Sequence, residues 1–194
     1  MSESRLGLFE TDYTLNGTHA MRLKFLAKKN ARDVNEPDNP QAAKIFERYI
    51  DVYMNAAVWG IRYRRRAKTD SSTDRARIYA DAFIRERDRC IFLYRLVMLL
   101  DDSEDLSPTE KIDRAFRYDT LPDKADELKK NLELFHDYVR GGIDLMFEKF
   151  TTDCLNREDY LEKTFNVMKE FKEELDGIDY SAEIAKLMKY EEEQ

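Results

Sequence analysis

Proline and glycine are scarce, at four and six in 194 residues, and tryptophan occurs once. So little turn chemistry excludes collagen-like and low-complexity chains, and it argues against an all-β fold, whose many turns draw on those residues. Cysteine is equally sparse, with Cys90 and Cys154 alone in separate helical patterns. That excludes a disulfide framework, so both are read as reduced, small apolar residues. His19 and His136 are the only histidines, and no zinc-spaced Cys/His set exists. Long apolar runs are missing too: the longest, "CIFLYRLVMLL", is interrupted by Arg95 and is far shorter than a bilayer span. The start "MSESRLGLFETDY" has no basic segment followed by an apolar run. The expected compartment is therefore the cytoplasm, with no membrane partner.

What the chain has is charge and helical periodicity. Hydrophobic residues make up 42% and charged residues 38%, with a formal net charge of −7. This composition describes a folded, helix-rich protein with a polar surface. The charge is uneven: residues 1–100 carry 19 Lys+Arg against 13 Asp+Glu, and residues 101–194 carry 14 against 27. Such asymmetry points to an anionic partner for the first half, or to the halves meeting, within one molecule or between copies.

Clusters of turn and capping residues divide the chain into helical segments. Residues 1–17 read as an N-terminal arm or irregular lead-in ending in the Asn16-Gly17 turn, and 18–194 as one helical domain, basic over about 18–100 and acidic over about 101–194. Helices are expected at about 18–33, 39–67, 73–101, 107–117, 123–150, 157–176 and 181–192. The second has Asn39 as cap and Pro40 in its first turn, with Ile45, Tyr49, Val52, Ala56, Trp59 and Tyr63 stepping by four and three along one seam. The third shows the same step at Tyr79, Phe83, Cys90, Leu93, Val97 and Leu100. Joined by a short polar loop, these two make a long antiparallel αα-hairpin, roughly 40 Å in length. The fold class expected is thus all-α, a single-domain bundle of six to seven helices built around that hairpin.

Finer signals sit on this map. "SPTE" at 107–110 is a capping box, in which Ser107 and Glu110 satisfy each other's free backbone N–H groups. Gly142 lies in the stripe Leu128, Leu132, Phe135, Val139, Met146 and lets a neighbouring backbone approach; alternatively Gly141-Gly142 marks a kink. Leu161, Phe165, Met168 and Leu175 form the stripe of the sixth helix, which stops at Gly177. Glu86 and Arg95 interrupt apolar faces, and each calls for a partner on another helix or a place at the rim, the alternative being a polar ligand pocket.

Catalytic motifs do not assemble. Glu133-x-x-His136 has the spacing that di-iron helical bundles use, but such sites need it twice and His19 has no matching glutamate. No phosphate-binding glycine loop and no G-x-S-x-G elbow occurs. No cofactor, no metal and no enzymatic activity are therefore expected.

The remaining feature is "GIRYRRRAKTD", with Arg62, Arg64, Arg65, Arg66 and Lys68. No acidic residue lies between Asp51 and Asp70, so these cations have no local neutralisation. One or two would complement a helix C-terminus. Asp101, Asp102, Glu104 and Asp105 are the candidate acidic contact, but in an antiparallel hairpin they lie at the far end and answer only the arginines of another copy. Nucleic-acid phosphates, or the acidic final helices folding back, would serve instead. The function expected is a non-enzymatic assembly module, self-associating or a small subunit of a larger complex, with protein partners or copies of itself. The alternative is a nucleic-acid-binding subunit using the basic cluster.

Overall fold

The structure is a computed structural model that describes residues 7–28, 32, 39 and 42–176. The expected last helix at 181–192, the stop at Gly177 and the Pro40 position lie outside these residues. Among them are seven α-helices and one two-stranded antiparallel sheet. The chain is mostly helical, though not purely so.

The lead-in is packed. Leu8 and Phe9 are buried, and Phe9 meets Phe83 and Phe135 with ring centroids 5.8 Å away. Strand β1, Tyr13–Asn16, pairs with β2, Arg75–Ile78, in the register Tyr13↔Ile78 and Leu15↔Ala76. Residues 75–78 alternate exposed arginines with buried Ala76 and Ile78. That two-residue period is the signature of a half-buried strand, and it replaces the first turn of the expected third helix.

Helix α1, Gly17–Leu26, stops short of the expected end. Ala27 is extended and bridges Phe46, while Lys44 N–H donates to the Phe25 carbonyl and Phe46 N–H to that of Leu26. These bonds hold 42–48 outside the expected second helix, so α2 is Tyr49–Arg62 only. Its start is fixed by Asp51, whose carboxylate accepts the backbone N–H of Arg48 at 3.1 Å.

The expected third helix becomes β2, a short α3, Ala80–Arg85, and α4, Arg87–Leu100. Glu86 sits at the break and answers Arg48 of the α2 start at 2.9 Å and Arg89 at 3.0 Å. At the opposite ends, Arg64 just beyond α2 meets Asp102 just beyond α4 at 2.8 Å. Both N-terminal ends touch and both C-terminal ends touch, so α2 and α4 run side by side in the same direction. The long antiparallel hairpin is corrected on this point. Its premise, a short loop between two long helices, fails because 63–86 is a long crossover containing β2 and α3.

Helix α5, Pro108–Phe116, starts with the expected box: Ser107 N–H and Oγ donate to the Glu110 carboxylate at 2.8 and 2.6 Å, and Glu110 N–H returns to Ser107 Oγ at 3.3 Å. Helix α6, Ala125–Thr151, runs unbroken through Gly141-Gly142. A side chain on Gly142 would overlap the Ala56 carbonyl, and one on Gly60 the Tyr138 carbonyl. These glycines thus set a backbone-to-backbone crossing of α2 on α6. Around it lie Tyr53, Phe83, Tyr94 and Phe135, ring against ring at 5.2–6.0 Å. Helix α7, Arg157–Asp176, packs through Val167 and Phe171, the latter edge-on to Trp59 at 5.0 Å.

Candidate functional site

The basic segment begins at a helix end and continues well past it. α2 finishes at Arg62, and Arg64 takes a left-handed φ of 51°. Arg65 N–H donates to the Gly60 carbonyl at 2.9 Å and Arg64 N–H to that of Ile61 at 3.2 Å. This is the Schellman pair of bonds, with arginine where glycine is usual. Beyond it the chain lies along α6, pinned by its backbone: Ala67 N–H reaches the Asp137 carbonyl at 2.9 Å, and Arg140 Nε donates to the Ala67 carbonyl at 2.9 Å. Gly141 makes room, since a side chain there would meet the Arg65 carbonyl.

The side chains of this strap face outward toward acids of the second half. Arg62 pairs with Glu174 of α7, Arg64 with Asp102, Arg65 with Glu148 at 3.2 Å, and Lys68 with Asp137 at 2.5 Å. The Arg66 guanidinium lies over the Tyr138 ring, 5.8 Å from its centroid. All five predicted cations therefore face an acid or an aromatic ring of the same chain. The expectation that the 101–105 loop cannot reach its own arginines is overturned, because the parallel arrangement of α2 and α4 brings Asp102 alongside Arg64. Asp101 has a different role. It is buried, accepting from Tyr138 Oη at 2.7 Å and pairing with Arg114 at 3.2 Å. Burial raises its carboxyl pKa, but the Tyr138, Ser103 and Arg114 contacts outweigh this and hold it below the ordinary value. Glu104 and Asp105 are exposed.

Beneath the strap, α6 presents a buried polar row. Arg140 is paired with Asp137 and, at 2.6 Å, with Glu133, and its Nη1 donates to Tyr13 Oη at 3.1 Å. His136 stacks on Tyr13 at 4.0 Å and shares a 3.0 Å hydrogen bond with Tyr53 Oη. Burial, reinforced by the Arg140 charge, pushes its pKa down to about 3. Asp144 contacts His19 Nδ1 at 2.9 Å and Arg22 at 2.5 Å, and His19 Nε2 lies 3.2 Å from the Lys68 carbonyl. His19 thus joins α1 to α6 and the strap, His136 joins α6 to α2 and β1, and their ring nitrogens face protein partners. Among the described residues no group of three or more His, Cys, Asp or Glu is placed to hold a metal, and no helix is long and apolar enough to cross a membrane. Arg95 pairs with Asp119 at 3.6 Å and covers the Phe116 ring, the partner on another element that its position called for.

Two apolar surfaces lay outside the predicted site residues. On α4, Phe92 is 64% exposed and stands between two grooves of about 450 and 460 Å³. Met54, Val58 and Leu93 line the first; Ile91, Leu96, Leu99 and Phe116 line the second. On α7, Leu161, Phe165 and Met168 point away from the body, at 62, 68 and 62% exposure. Leu161, Phe165 and Met168 keep the helical step of the expected stripe, but Val167 and Phe171, one position round, face the body. A third, polar cleft of about 400 Å³ is lined by Lys28, Arg32, Arg48 and Arg85 together with Glu47 and Asp81. Its cations are tied to acids at its rim: Arg32 and Arg85 to Asp81, Lys28 to Glu47.

No protein-family model, curated protein or solved structure matches the chain.

Proposed function

We propose that the chain is a non-enzymatic, single-domain helical assembly module of the cytoplasm, a subunit that docks an amphipathic helix of a protein partner against the outer face of α4. The observation that carries this reading is Phe92, a large aromatic 64% exposed between two apolar grooves. An apolar row on a partner helix would fill such paired grooves, as in other helix-in-groove contacts. Asp88, Arg89 and Arg95 supply the polar rim that surrounds an apolar interface centre.

The test is recovery of co-purifying proteins from the chain's own cells with wild type and with Phe92→Glu. Because Phe92 is exposed, the variant should keep the wild-type far-UV spectrum and melting temperature while losing the partner. Recovery of the same partners by Phe92→Glu would sink the proposal.

Nucleic-acid contact through Arg62, Arg64, Arg65, Arg66 and Lys68 is the second reading, favoured by the display of all five on one strap, with Lys68 at 87% side-chain exposure. It is the weaker of the two, since each cation already faces an acid or an aromatic ring of the same chain. Binding of a mixed DNA and RNA panel at low salt, abolished when the four arginines become glutamine, would reverse that order.

A further inference from the structure

We infer that α7 is a second contact surface, made for another copy of this chain, with two α7 helices packing antiparallel about Phe165. The inference rests on the reading of the chain as an assembly module but uses a different face from the Phe92 grooves.

Leu161, Phe165 and Met168 step by four and three and lie on one side of α7, each more than three-fifths exposed. Together they leave on the order of 400 Å² of apolar side-chain surface in water, as much as a typical monomer's largest patch. Among the described residues, the body of the protein does not use this side. It holds α7 through Tyr160, whose ring lies edge-on to Phe25 at 5.6 Å, and through Val167 and Phe171.

The charges that end the stripe select the occupant. Continuing the same step by three residues toward the N-terminus gives Glu158, and by four toward the C-terminus gives Lys172; both are exposed. The row therefore reads Glu158, Leu161, Phe165, Met168, Lys172, with opposite charges seven residues to either side of Phe165. Laid antiparallel on its own copy, it sets Glu158 against Lys172 twice, places Leu161 opposite Met168, and puts the two phenylalanines at the two-fold axis. Exposed Glu162 and Lys169, three before and four after Phe165, repeat the pattern along the flank. A parallel pairing would set glutamate against glutamate. The contact is isologous and closes as a dimer, and its modest area implies a weak, micromolar-range association.

Sedimentation equilibrium of the full chain at low salt tests this directly. A monomer–dimer equilibrium is expected, abolished by Phe165→Glu with no change in far-UV spectrum. Glu158→Lys or Lys172→Glu alone should weaken the dimer about tenfold, since each alters two symmetric pairs. The double variant, with the charges exchanged, should restore it. A strict monomer overturns the inference. So does a dimer that survives Phe165→Glu, or a double variant as weak as the singles. A monomer in which the stripe is nonetheless shielded from labelling would identify residues 177–194 as its cover instead. Phe92→Glu leaves this equilibrium untouched, so loss of the Phe92 partner and loss of the α7 dimer are separately readable.

Discussion

His136 makes acid stability a measure of how well the polar row on α6 is sealed. In the unfolded chain its imidazole takes a proton near pH 6.5. In the folded chain it does so only at about 3, because burial and then the Arg140 charge oppose the imidazolium. Between these values the unfolded state binds a proton that the folded state refuses, so stability falls as pH falls. The contribution is fully present above about pH 6.5 and is lost progressively as pH drops toward the folded value. The slope approaches about 1.4 kcal/mol per pH unit, and from about pH 7 to about pH 5 the loss is on the order of 2 kcal/mol. Asp101 and Asp144 have folded values below their ordinary 3.8, so they act below this window. The assay is urea denaturation across that range for wild type and His136→Gln, which can still bond Tyr53 Oη but does not titrate. Wild type should show the fall, and the variant should have lower stability at neutral pH with the extra slope removed. A flat wild-type profile, or an equally steep one in the variant, would refute the reasoning.

Gly142→Ala should destabilise by about 1–3 kcal/mol, read as a lowered melting temperature, because α2 and α6 must separate to admit a methyl group at the Ala56 carbonyl. Arg64→Gly should be neutral to stabilising by up to about 1 kcal/mol, since relief of the left-handed backbone outweighs an exposed ion pair, whereas Arg64→Ala loses the pair and keeps the strain. Denaturant midpoints separate the two, and equal loss in both would count against strain at Arg64. Ser107→Ala should cost about 1 kcal/mol by opening the α5 capping box, in the same assay.

What was legible in the sequence was local. The capping box, α6 and α7 each depend on residues within a turn or two of one another, and each stands where the pattern put it; Gly142 marked a close approach without naming Ala56 as the partner. The strands did not announce themselves. Arg75-Ala76-Arg77-Ile78 fits a two-residue period, but four residues are too few to outweigh the longer helical step that continues through Phe83 and Cys90. Ile45 likewise matches the seam of α2, yet the backbone bonds of its neighbours Lys44 and Phe46 to Phe25 and Leu26 hold the segment outside the helix. The direction of α4 relative to α2 was misread for the same reason. It depends on the crossover 63–86, whose path is fixed by contacts with α6 some seventy residues away in sequence.

The strap shows why a local charge count misleads about partners. Arg62, Arg64, Arg65, Arg66 and Lys68 have no acid within their own stretch, and their anions come from α4's end, α6 and α7. The position of the strap does not depend on those pairs, because the Ala67 and Arg65 backbone groups and the Gly141 gap already fix it against α6. Exposed ion pairs contribute about 0–1 kcal/mol each, so the arginines can be exchanged without dismantling the fold. A surface fixed by backbone and weakly neutralised by side chains can release its cations to a competing anion. An apolar face such as that of Phe92 or Phe165 has no such internal substitute among the described residues, and burial against an apolar partner is what removes it from water. The asymmetry between these two kinds of surface is why the apolar faces, and not the basic strap, carry the proposed contacts.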